Sequence, residues 1–403
     1  MFALKVLCLR IYMMIFKGIL VILPFKWPTL FEGPGSSLEL CRHIAAQGHT
    51  KVLLVTDAML AKLGLLDAMK TELANLGVTV VIYDGVMPDP TIEQIEAGVS
   101  VLKENDCKAI LAVGGGSSID AAKVIAARGK SDKSIAKMTG LFKVFLRGTL
   151  PLYAVPTTAG TGSESTSAAV VTDPVQQIKL PIVDLTLIPI AAALDGELMT
   201  GLPAHITAAT GMDALTHAVE AYISRNALKR TDALAIEATQ LIIANLTIAV
   251  TDGTNVTARQ AMIKASNLAG MAFTQVAVGY VHAIAHNFGA LYHTPHGLAN
   301  AIVMPYVLDY SKPKCASRLA DLAKACNIGP NGGNNDELAE AFINHIREMK
   351  HTLDIPEKLE NLRRDDIPQI AAAALKEARF MYAVPRYMDQ ATCEDIVSKM
   401  LVA

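Results

Sequence analysis

Residues 107–120 read CKAILAVGGGSSID. AILAV is a short, unbroken apolar run, the pattern of a strand covered on both faces of a parallel sheet. It passes directly into the glycine turn Gly114–Asp120, and Ala121–Ala127 continue with helical spacing. Upstream, KVLLVTD (51–57) is a second buried strand, Ala58–Leu76 has helical spacing, VTVVIYD (78–84) is a third strand and Thr91–Asn105 another helix. Pro88 and Pro90 mark the intervening loop. Downstream, PLYAVPTTAGTGSE (151–164) repeats the strand-into-turn pattern. Strands alternating with helices, with glycines at the carboxyl ends of the strands, predict a doubly wound α/β domain.

The character of the chain changes near Leu202–Pro203. Beyond it the β-branched runs mostly stop, and residues 206–223, 231–249, 258–276, 336–351 and 367–374 have helical length and spacing. NIGPNGGNN (327–335) reads as a loop. The expected organisation is an N-terminal extension (1–27), an α/β nucleotide-binding domain (28–203) and an all-α domain (204–403). Residues 1–27 are apolar but interrupted by Lys5, Arg10, Lys17 and Lys26. The longest charge-free run, Gly18–Phe25, is far short of the ~20 residues of a spanning helix. No small-residue cleavage site follows it. The segment reads as an extra helix packed on the surface or on a partner subunit; the alternative is a basic anchor lying on a membrane surface.

Composition narrows the function. The chain has 403 residues, 36 Lys+Arg against 38 Asp+Glu and only 5% aromatic residues. That balance argues against nucleic acid as a partner, which needs a basic face and stacking platforms. The six cysteines form no C-x-x-C pair, which speaks against a thiolate metal site and for a reducing, cytoplasmic compartment.

The two glycine turns have a common use. In Gly114–Asp120, backbone N–H groups at the start of a helix can approach a pyrophosphate, aided by the helix dipole. It is neither G-x-G-x-x-G nor a P-loop, and a lone glycine-rich turn after a strand is more often only a tight turn. Pro156–Glu164 (PTTAGTGSE) adds hydroxyls and two more glycines at the same edge of the sheet, so the pair can hold a dinucleotide. Asp57, ending KVLLVTD, can accept from an adenosine ribose or cap the next helix.

The histidines converge elsewhere. Asp213 and His217 stand at i, i+4 in GMDALTHAVE, as do His282 and His286 in VHAIAH, with His293 and His296 in HTPHG. On helices each i, i+4 pair shares a face. A carboxylate with several neutral imidazoles suits Fe(II), Zn(II), Ni(II) or Co(II).

GGGSSID, PTTAGTGSE, TAATGMDALTHAVE and VHAIAHNFGALYHTPHG together resemble the iron-containing (group III) alcohol dehydrogenases, from about Pro28 to near the C-terminus. The resemblance implies a Rossmann-like NAD-binding domain joined to a helical metal-binding domain, the dehydroquinate synthase-like architecture, with a cleft between them. It implies Asp213, His217, His282 and His296 as metal ligands, with His286 beside the metal as the catalytic proton-passing group. Gly115, Gly116 and Ser117 would contact the pyrophosphate, and Asp120 would stand near the nicotinamide end. Thr157, Thr158 and Thr161 would line the cofactor, Lys179 would lie near the ribose, and Leu198 and Leu202 would flank the cofactor. Asp57 matches the position favouring NAD over NADP, and Asp89 the adenine-side position where members often carry Asn. Ala272, Phe273, Phe288 and Tyr292 flank the histidine segments as candidate substrate contacts.

The implied activity is an NAD-dependent oxidoreductase interconverting a primary alcohol and its aldehyde, with hydride leaving a metal-bound alkoxide. The metal would be one divalent ion, Fe(II) first and Zn, Ni or Co as alternatives. A homodimer is the family expectation. A hydroxyacid–oxoacid transhydrogenase that retains its NAD is the competing reading, and a non-redox metal hydrolase or binding protein would have no use for the two glycine turns.

Overall fold

In the computed structural model, which describes residues 2–176 and 178–402, Ala109–Gly114 is a central strand of a parallel sheet. The strands in chain order are β1 (Thr29–Glu32), β2 (Lys51–Val55), β3 (Thr79–Tyr83), β4 (Ala109–Gly114), β5 (Gly140–Leu141), β6 (Leu152–Pro156), β7 (Ala168–Asp173), β8 (Ile178–Val183) and β9 (Ala191–Leu194). The main sheet has the order β1-β9-β6-β4-β2-β3, and every pair in it is parallel. Leu53, Val55, Ile110 and Ala112 enter one core cluster, while Val52, Leu54, Leu111 and Val113 enter another. Alternate residues of the same strands therefore bury opposite faces, which is why these strands are apolar throughout instead of alternating. β5, β8 and β7 form a separate small sheet.

The register of β4 against β6, with Gly114 opposite Pro156, brings the two predicted turns to one edge. The helices that matter here are α1 (Phe2–Ile22), α2 (Gly116–Lys130), α3 (Ala204–Ile223), α4 (Val256–Val276), α5 (Tyr280–Tyr292), α6 (His296–Ala325) and α7 (Ile367–Met381). Two local differences from the sequence reading stand out. α2 begins at Gly116, not Ala121, so GSSID is its first turn and Gly115 its N-cap. Ala58–Leu76 is two helices, Ala58–Lys62 and Asp67–Asn75, because the chain takes positive φ (73°) at Gly64.

The chain divides into two compact units. One comprises residues 25–202 and 253–270 and contains both sheets; the other comprises residues 1–24, 203–252 and 271–403 and is helical. The sequence boundary at 203/204 put the whole of 204–403 in one domain, whereas Gly253–Gly270 group with the sheets. Side-chain chemistry holds this segment there. The buried Arg259 donates to the carbonyls of Gly253 and Leu202, Gln260 donates to that of Leu194, and Asn267 donates to Glu164 Oε1. The backbones also touch: a Cβ on Gly162 (φ +59°) would lie 2.5 Å from the Ser266 carbonyl.

A buried ionic network ties α2 to the second turn. Lys123, 0% exposed, donates to Ser163 Oγ (2.9 Å), Thr166 Oγ1 (2.8 Å) and the Ala168 carbonyl (2.7 Å). Burial pulls its ammonium down to about 8, opposed by Asp120 and Glu164. Asp120 in turn accepts from Ser163 Oγ (2.6 Å) and Val170 N–H (2.9 Å). Removing one partner from such a group leaves the others buried without compensation. Lys123→Ala is therefore expected to cost about 3–5 kcal/mol, read from urea unfolding; a midpoint equal to that of the parent protein would show that the ammonium compensates nothing.

Candidate active site

α3 presents Asp213 and His217 on one face, as the i, i+4 spacing requires. α5 presents His282 and His286, and His296 is the first residue of α6 rather than a loop residue. α6 starts close against α3, since a Cβ on Gly297 would fall 2.2 Å from the Ala209 carbonyl. The glycine after His296 is thus what lets the imidazole reach Asp213. Asp213, His217, His282 and His296 each direct one donor atom into a cluster whose members all lie within 4.8 Å of one another. Asp213 Oδ1 is 3.5 Å from His296 Nε2 and 3.8 Å from His282 Nε2. Ligands about 2.1 Å from a common tetrahedral ion would sit roughly 3.4 Å apart.

The tautomer of His282 tests whether a cation fits. Its Nδ1 lies 2.7 Å from Glu220 Oε2; with that oxygen accepting as a carboxylate, the proton is on Nδ1 and the lone pair on Nε2. Nε2 is buried and has no hydrogen-bond partner. A lone pair in that state, aimed at a carboxylate oxygen, is costly unless a cation takes it. Burial, with His217, His296 and His286 nearby, holds His282 well below the usual imidazole range, so the ring stays neutral and able to offer a lone pair.

Glu220 closes the TAATGMDALTHAVE motif and received no role from the sequence. Besides His282 it accepts the backbone N–H groups of Gly279 (2.8 Å) and Val281 (2.8 Å), which open α5. A Cβ on Gly279 would lie 2.6 Å from Glu220 Oε1. One carboxylate thus caps α5 and orients the His282 ring, and it benefits from the positive end of the helix. Burial still pushes Glu220 up to about 7 against the pull of those N–H groups. Asn300 is a second unforeseen neighbour: its Nδ2 donates to Asp213 Oδ1 at 2.7 Å. The signal was its position one helical turn after His296.

His286 stands beside the four donors. Its ring stacks on His296 with centroids 5.3 Å apart, and its Nδ1 bonds Glu377 Oε1 at 2.8 Å. Tyr382 donates to the same Glu377 oxygen at 2.6 Å. Glu377 and Tyr382 lie about 90 residues downstream of His286, with no motif to join them. His293 caps the end of α5 with φ +54° and is not among the four donors. Of the candidate substrate contacts, Phe273 stacks on His217 at 4.2 Å. Ala272 and Phe288 are fully buried, and Tyr292 donates to Asp366.

In the sheet-bearing unit, Gly115, Gly116 and Ser117 lie at the start of α2, where first-turn N–H groups have no intrahelical acceptor. The turn after β6 folds against them. A Cβ on Gly116 would lie 2.6 Å from Thr161 Cγ2, and one on Gly115 3.3 Å from Thr158 Oγ1. Thr157 is buried and Thr158 and Thr161 half-buried, so bare glycine backbone and threonine hydroxyls share one patch. That patch suits a phosphate. Asp57 Oδ1 accepts from Met59 and Leu60 N–H, so it does cap the following helix. Asp89 (φ +55°) and Lys179 pair with each other at 2.5 Å, an arrangement their 90-residue separation did not suggest. Asp120 is engaged by Ser163 and Val170. Leu198 sits half-buried in a turn of 3-10 helix (Gly196–Met199), and the Leu202 carbonyl accepts from Arg259.

A three-imidazole, one-carboxylate cage on helices, in a chain whose sheet ends in phosphate-type turns, defines a metal-dependent oxidoreductase of the dinucleotide-using kind. The chain belongs to the iron-containing alcohol dehydrogenase family. Residues 28–196 match "Iron-containing alcohol dehydrogenase" and residues 207–401 match "Fe-containing alcohol dehydrogenase family, C-terminal". It is 40% identical to the 1,3-propanediol dehydrogenase of Citrobacter freundii over 351 residues, which is 86% of this chain and 90% of that one. It is 36% identical to the NAD-dependent methanol dehydrogenase of Bacillus methanolicus over 352 residues, 87% and 92% of the two chains. A crystal structure of a 1,3-propanediol oxidoreductase superposes with a TM-score of 0.90 at 37% identity, over 94% of this chain and 100% of that one. The protein is accordingly an alcohol/aldehyde oxidoreductase.

The geometry separates two histidines that spacing treats alike. His282→Ala should lose its ion on dialysis, while His286→Ala should retain about one ion per chain by elemental analysis. Glu220→Gln should bind the ion about 10–100-fold more weakly. Retention in His282→Ala with loss in His286→Ala would place the ligand set in the wrong register.

Proposed function

We propose that the enzyme interconverts short primary alcohols or diols and their aldehydes with NAD, holding one divalent ion, Fe(II) first among those the donors suit. The observation that carries this is the partnerless, deprotonated His282 Nε2 inside the Asp213–His217–His296 cluster. When bound, the ion supplies Lewis acidity toward the alcohol or carbonyl oxygen, and the dinucleotide exchanges the hydride. The chain's own groups do the rest. Asp213 would contribute a carboxylate oxygen and the three imidazoles one nitrogen lone pair each, Glu220 keeping His282 in the required tautomer. His286, with Nδ1 held by Glu377, offers Nε2 to carry the hydroxyl proton outward, and its side chain is 34% exposed. The start of α2 and the hydroxyls of Thr157, Thr158 and Thr161 bind the pyrophosphate side. Asp57 has a second carboxylate oxygen for the ribose while the first caps the helix.

The names of the relatives, 1,3-propanediol and methanol dehydrogenases, support short alcohols and the dehydrogenase reading over the NAD-retaining transhydrogenase. A reducing cytoplasm is supported by the six free cysteines, and a homodimer by the family resemblance.

A panel of short alcohols and diols with Fe(II)-loaded protein should release NADH into solution, read at its absorbance maximum. Absence of free NADH with every alcohol, alongside turnover of paired hydroxyacid and oxoacid, would favour the transhydrogenase instead. In the same assay Asp57→Gly should improve use of NADP relative to NAD by at least ~10-fold, about 1.4 kcal/mol. Glycine replaces a capping Asp at a cost of only a few tenths of a kcal/mol, so an unchanged ratio would mean that Asp57 serves as a cap alone.

A further inference from the structure

α1 is anchored along one face. Leu9 and Met13 are buried, and the Tyr12 ring meets Phe380 edge-on with centroids 5.6 Å apart. Lys17 Nζ donates to the carbonyls of Ala227 (2.8 Å) and Arg225 (3.2 Å). The opposite face is apolar and bare. Leu7, Ile11, Met14, Ile15, Val21 and Ile22 are all exposed, Met14 at 68%, Ile15 at 61% and Ile22 at 82%. At about 100° per residue these six fall in an arc of roughly 120°. Leaving such a stripe in water is unfavourable, and contiguous patches of this kind mark a docking face.

Charge indicates what covers it. Before Glu32 the chain carries Lys5, Arg10, Lys17 and Lys26 and no acidic residue, although its overall formal charge is -2. Arg10 is exposed at one edge of the apolar arc. The adjoining α7 adds exposed Lys376 and Arg379, which with Val6, Leu9 and one exposed carboxylate, Asp389, line a cavity beside α1, and exposed Phe380. A second copy of this face would bring like charges together. An anionic bilayer surface offers both an apolar layer for the stripe and negative phosphates for its basic border.

We propose that α1 docks the protein on anionic lipid, lying in the plane of the interface with the apolar arc among the acyl chains and Arg10 beside the headgroup phosphates. The helix does not span, since Arg10 and Lys17 interrupt it. Its packed face already binds it to the protein, so docking needs no unfolding of the helical unit.

The test is flotation of the full chain with vesicles of phosphatidylcholine alone or mixed with phosphatidylglycerol, at low and high salt. The parent protein should bind the phosphatidylglycerol vesicles at least ~10-fold more than the neutral ones, and less at high salt. The double variant Ile11→Asp, Ile15→Asp should fail to bind while keeping the parent's thermal unfolding midpoint, because both side chains are exposed. Arg10→Glu should weaken binding without abolishing the apolar contribution. Absence of binding to anionic vesicles, or equal binding by the double variant, overturns the proposal. So does a parent dimer that becomes monomeric in the double variant without vesicles, which would assign the stripe to a second copy.

Discussion

The site depends on one buried contact, the carboxylate of Glu220 against the start of α5. Three N–H donors converge on it: Gly279 and Val281 from the backbone and His282 from its ring. The first two fix where α5 begins and how it meets α3. The third fixes which ring nitrogen of His282 is bare. Helix placement and ligand tautomer are therefore set by the same anion, and Gly279 is glycine because a side chain there would occupy the carboxylate's place.

That arrangement is unfavourable in isolation. Glu220 is 4% exposed, with no lysine or arginine among its hydrogen-bond donors. Asp213 is equally enclosed, with imidazole nitrogens and Asn300 about it. Two buried carboxyl groups, Asp213 and Glu220, thus sit near the imidazoles with no side-chain cation among their hydrogen-bond donors, and the positive end of α5 compensates Glu220 only in part. A cation held by Asp213, His217, His282 and His296 would complete the compensation. The same logic explains why no cysteine takes part: a carboxylate and imidazoles are the donor set for a borderline-hard ion.

Much of this was legible in the sequence, for identifiable reasons. The sheet was readable because β2, β4 and β6 are covered on both faces and hence uniformly apolar. The donor pairs were readable because α3 and α5 each place i and i+4 on one face. What could not be read was tertiary. Glu220 meets His282 across 62 residues, and Glu377 meets His286 across 91. Lys179 and Asp89, both expected at the cofactor, first meet each other. His296 was expected in a loop, yet Pro295 precedes it at the N-cap and it opens α6. The helical segment 253–270 joins the sheet-bearing unit through Arg259, Gln260 and Asn267, polar contacts that hydrophobic periodicity does not register.

If Asp213, His217, His282 and His296 together hold one cation, its donors are nitrogen and oxygen only. X-ray absorption at the metal edge of the loaded protein tests it directly. The spectrum should show imidazole nitrogens and carboxylate oxygen at about 2.0–2.2 Å, with the multiple-scattering pattern of roughly three imidazoles. A sulfur shell near about 2.3 Å, or a spectrum of the fully hydrated ion, would contradict it.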